Sequence, residues 1–119
     1  MTRDQVKQFV VRQLEAFDYS PPSPDGLLGV PWSRERMSRE VEVLRNALVE
    51  PELIEVELAD DPSARSKRPM WALTSPDPNG YIVVLDPGSD RFGLAVTGGA
   101  GPPETVAVWG DLVTTYAAR

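Results

Sequence analysis

The apolar positions change their period once along the chain, near residue 52. Before it, Val6, Phe9, Val10, Leu14 and Phe17 recur at helical spacing, with Arg3, Lys7, Arg12 and Glu15 elsewhere on the cylinder. This predicts a helix over about 5–17, with Thr2 and Gln5 forming a capping box at its start. A second stripe, Met37, Val41, Leu44 and Leu48, predicts a helix from Ser33 to about Val49. Ser33 is its N-cap, Glu35 suits the helix dipole, and Pro51 stops it. Between the two, Pro21, Pro22, Pro24, Pro31, Gly26 and Gly29 make 18–31 a connector. Leu27, Leu28 and Val30 within it predict that the connector lies against the core.

From residue 52 onward the pattern alternates. Leu53-Ile54-Glu55-Val56-Glu57-Leu58 reads as a half-buried strand, and Ala59 to Pro69 as a polar connector. Met70–Thr74, Tyr81–Leu85, Phe92–Thr97 and Thr105–Trp109 read as four more strands. The punctuation between them is strong: Pro76-Asp77-Pro78-Asn79-Gly80, then Asp86-Pro87-Gly88-Ser89-Asp90, then a glycine-rich tip from Gly98 to Pro103. Asp111 caps a short final helix reaching Ala118. The predicted fold class is α+β: two N-terminal helices packed on a mainly antiparallel four- to five-stranded meander sheet, with a short C-terminal helix. At 119 residues and 41% hydrophobic content, the chain is read as one domain over 1–119, helical to 50 and strand-rich from 51.

Composition then narrows the chemistry. There is no cysteine and no histidine. That removes disulfides, thiolate nucleophiles, histidine-based triads and dyads, most zinc sites and haem ligation. The polar start Met1-Thr2-Arg3-Asp4-Gln5 lacks the apolar core of a secretory signal, and no apolar run reaches the roughly 18–20 residues a membrane span needs. The expectation is a cytoplasmic, non-enzymatic protein with no catalytic, cofactor or metal site.

Charge is uneven. The net is −6; residues 1–50 hold seven basic and eight acidic groups, and 51–119 hold five and ten. The densest feature is Glu50, Glu52, Glu55, Glu57, Asp60 and Asp61, six carboxylates in twelve residues. If Ile54, Val56 and Leu58 face the core, Glu55 and Glu57 share the opposite face. Such a row attracts a basic protein partner and is the candidate partner-binding surface. It equally fits the solvated face of an outer strand, where charge discourages edge-to-edge association.

Other constellations are weaker. Asp86 and Asp90 stand at i and i+4, a spacing that suits a hard cation, but the segment also reads as an ordinary turn. Gly98-Gly99-Ala100-Gly101 lacks the Lys-Ser/Thr of a phosphate-binding loop. Arg65, Lys67 and Arg68, with Arg34, Arg36 and Arg39, invite a winged-helix nucleic-acid reading, against the net acidity and the three extra strands. Trp32, Trp71, Trp109, Tyr19, Tyr81 and Tyr116 leave room for a small-molecule pocket, and equally for a core and its margin.

The C-terminal third adds one resemblance. Tyr81-Ile-Val-Val-Leu-Asp-Pro-Gly-Ser-Asp-Arg-Phe-Gly-Leu-Ala-Val, a glycine-rich tip, and Val106-Ala-Val-Trp-Gly-Asp-Leu-Val resemble the tail of small bacterial immunity proteins, the cytoplasmic partners that neutralise toxins exchanged between bacteria. The likeness covers about 40 of 119 residues and carries over no individual binding residue. It implies a non-enzymatic protein that binds a cognate toxin domain tightly. The ordered expectations are thus an immunity-type inhibitor, then a winged-helix-like nucleic-acid binder, then a small-molecule-binding domain.

Overall fold

The computed structural model describes residues 1–17, 34–58, 67–99 and 101–119. The fold is α+β, with the order α1 (Arg3–Ala16), α2 (Arg34–Ala47), β1 (Leu48–Glu57), β2 (Lys67–Thr74), β3 (Tyr81–Asp86), β4 (Arg91–Val96), β5 (Glu104–Gly110) and α3 (Leu112–Ala117). The connector 18–31, the Ser33 cap, and Trp32, Tyr19, Asp60, Asp61 and Arg65 lie outside the described residues.

The helices begin where side chains satisfy their orphan amides. At α1 the Gln5 N–H donates to Thr2 Oγ1 (3.2 Å) and the Thr2 N–H donates to Gln5 Oε1 (2.8 Å), a complete capping box. At α3 the Thr114 N–H donates to Asp111 Oδ2 at 3.1 Å. α2 ends at Ala47, earlier than its apolar stripe predicts, and Leu48 is already in β1. Pro51 therefore stops no helix. It sits inside β1, in the register irregularity between Leu48 and Glu52, where a missing N–H breaks no regular ladder.

The five strands form a meander whose neighbours are antiparallel, and the sheet closes into a barrel. With five strands in alternating directions, the closing pair β1–β5 must be parallel, so the sheet is mixed. That seam has a single register pair, Glu57↔Glu104. Beside it the Glu57 N–H donates to Pro103 O at 2.8 Å.

Two apolar clusters follow from strand alternation. The smaller lies inside the barrel: Val56, Met70, Ile82, Val84 and Ala95, with Ile54, Leu58, Ala72 and Trp109 against them. The larger lies between the outer sheet face and the helices. Trp71, Leu73, Val83, Leu85, Phe92 and Leu94 there meet Val6, Val10 and Leu14 of α1, Met37 and Leu44 of α2, and Leu112, Val113 and Tyr116 of α3. Phe9 stacks on Phe92, with ring centroids 5.5 Å apart and planes within 9°. All three helices thus pack on one side of the barrel.

Candidate interaction surface

The helix layer covers the Leu48 end of β1 and leaves Leu53 exposed. On the outer face, Trp71 and Leu73 of β2 are covered, whereas Leu53, opposite Trp71 in the register, is 52% exposed. Farther along the ribbon, Glu55 pairs with Pro69 and Glu57 with Lys67; Glu55, Pro69 and Lys67 are exposed and Glu57 is half-buried. The far end of the β1–β2 ribbon therefore presents a bare strip, with Leu53 and Pro69 at its centre and charge around them.

The sequence-predicted acidic residues do not all share that strip. Ile54 and Val56 face the barrel interior, with Leu58 beside them, which turns Glu55 and Glu57 to the outer face. Glu52 has the opposite parity and is exposed near the register irregularity. Glu50, at the α1 end of the strand, binds Lys7 Nζ at 2.7 Å. The hydrogen bond and charge of Lys7, with Arg3 nearby, hold the Glu50 carboxyl below the ordinary glutamate range. Lys67 Nζ stands 3.7 Å from Glu55. A row that reads as uninterrupted acid in sequence is thus met by two lysines from elsewhere in the chain. Glu52 and Glu57 carry no ion pair among the described residues.

Leu53 is the residue that charge-based reading misses. The signal for it is parity: it shares the alternation of Glu55 and Glu57, not that of Ile54 and Val56.

The remaining candidates resolve into structure. Asp86 is 4% exposed and accepts from the Gly88 N–H (3.0 Å), Ser89 Oγ (3.1 Å) and Arg68 Nη1 (2.9 Å). It holds the β3–β4 turn, in which Asp90 takes a left-handed backbone conformation with φ 57°. Among the described residues no group of three or more acidic side chains is gathered around a metal-sized site. Of the basic cluster, Lys67 and Arg68 are engaged with Glu55 and Asp86, and the ribbon that carries them belongs to the closed barrel and is no free-standing wing. The described aromatics do not form one pocket: Trp71 lies under the helices, Tyr116 of α3 is buried in the same cluster, and Trp109 packs against the barrel interior with Arg91 5.4 Å from its ring centroid. Among the described residues no helix is long and apolar enough to cross a membrane.

Compared with protein-family models, curated proteins and solved structures, the chain matches none of them, so the reading of its surface rests on its own residues.

Proposed function

We propose that the protein is a non-enzymatic protein-binding module, an immunity-type inhibitor that neutralises a bacterial toxin in the cytoplasm by direct binding. The observation that carries this reading is Leu53, exposed on sheet the helices leave bare and bordered by Glu55 and Glu57. An apolar centre with a charged rim is the ordinary anatomy of a protein interface. The carboxylates favour a basic partner, and the overall charge of −6 reinforces that preference at long range. The likeness of the C-terminal third to bacterial immunity proteins supplies the class of partner.

The contact surface is narrower than the full acidic row. Leu53, Glu55 and Glu57 form its centre and Glu52 flanks it, while Glu50 is held by Lys7. Asp60 and Asp61 follow in sequence and remain part of the proposed surface. The test is capture of the partner, followed by association kinetics with Glu55→Lys and Glu57→Lys combined. Association slows by about tenfold or more at low salt, and its salt dependence weakens. Unchanged kinetics overturn the assignment of this surface.

A further inference from the structure

Among the described residues, the far end of β1 also leaves part of its backbone edge unpaired. At Glu57 the N–H turns away from β2 and donates to Pro103 O, at the single rung of the β1–β5 seam. Strand alternation turns the N–H and C=O of Leu53 and Glu55 the same way, while those of Ile54 and Val56 face β2. The carbonyl of Pro51 has this orientation too, and it is covered: Arg3 Nε donates to it at 2.9 Å. The edge is thus closed at Pro51 by α1 and at Glu57 by β5, and between them no described residue pairs with Leu53 or Glu55 on that side.

We propose that this gap receives an extended, lysine- or arginine-bearing segment of a protein partner, which adds to the barrel as a further strand along Leu53 and Glu55. The inference rests on the protein-binding reading above and names its geometry. An unpaired edge is a template for another strand, and proteins guard such edges with charge. Here the guards are Glu52, Glu55 and Glu57, all of one sign. They repel a second copy of the same edge and favour a basic strand. Lys67, 3.7 Å from Glu55 with both side chains exposed, is a loose partner that an incoming cation displaces. Leu53 supplies the apolar contact beside the new rungs.

The experiment uses the full chain, isotopically labelled, and a short end-blocked peptide of alternating lysine and valine, with a glutamate–valine peptide as control. Hydrogen exchange at the Leu53 and Glu55 amides slows about tenfold when the basic peptide is held near ten times its Kd. The acidic peptide leaves them unchanged. Leu53→Pro removes a donor that faces away from β2, and it abolishes the protection; Leu53→Ile, which keeps both the donor and the apolar contact, retains it. If Leu53→Pro does not fold, amide protection in the unaltered chain decides alone. Amides that stay unprotected overturn the proposal. If the basic peptide perturbs the Glu55 and Glu57 carboxylates without protecting those amides, the strand-addition geometry fails while the acidic-surface reading stands. Equal protection by both peptides overturns the requirement for a basic partner.

Discussion

The ring of Trp109 occupies the space that a side chain at Gly93 would need. The two residues are partners in the β4–β5 register, and a Cβ on Gly93 would come within 2.7 Å of Trp109 Cε3 and Cζ3. Glycine here lets an indole press against the strand from the barrel interior. Gly93→Ala forces the ring or the strand to move and costs about 1–3 kcal/mol of stability, read as a lower denaturation midpoint. Combined with Trp109→Leu, which removes the crowding ring, the additional cost of the alanine disappears.

Asp86 is expected to matter through the turn it holds. Its carboxylate takes donors from Gly88, Ser89 and Arg68 while almost fully buried. Asp86→Ala leaves those donors unpaired and costs about 1–3 kcal/mol. Asp86→Asn keeps an acceptor for the Gly88 N–H and loses the charge facing Arg68, so it costs less. Urea unfolding of the two variants checks the order; equal losses would place the cost in the charge and not in the turn.

Glu50 is expected to titrate below an ordinary glutamate, because Lys7 bonds it and favours its charged form. The sign follows from linkage. A carboxyl whose folded value is depressed contributes stability above its unfolded value and loses it as pH falls through the folded value. Since the pair is exposed, the effect on stability is small and screened by salt. NMR titration of the Glu50 side chain reads it directly: Lys7→Met raises the midpoint toward the ordinary value.

Much of the fold is legible in local sequence. The Thr2–Gln5 box starts α1, Asp111 caps α3, and the continuous apolar run Ile82 to Leu85 with the following Asp-Pro-Gly turn marks the β3–β4 hairpin. What is not legible depends on residues far apart. Closure of the barrel rests on one rung between Glu57 and Glu104. Lys7 meets Glu50 across 43 positions, so the acidic row reads as uncompensated until the chain is folded. Pro51 misleads because proline signals a helix stop, yet a strand accepts it where no ladder bond is lost. The candidate surface is half legible for the same reason. Parity places Leu53 with Glu55 and Glu57, but only the packing of the three helices on the rest of the sheet shows that Leu53 stays exposed.

The far end of β1 is proposed here as a protein interface. The most direct measurement is parallel capture from cells that make the protein, using the unaltered chain and a Leu53→Asp, Glu57→Lys variant shown by circular dichroism to be folded. Leu53 is 52% exposed and Glu57 half-buried on the outer face, so the variant keeps the core. One stoichiometric protein is expected to be held by the unaltered chain and lost by the variant. The same protein held equally by both, or nucleic acid in place of a protein, would contradict it.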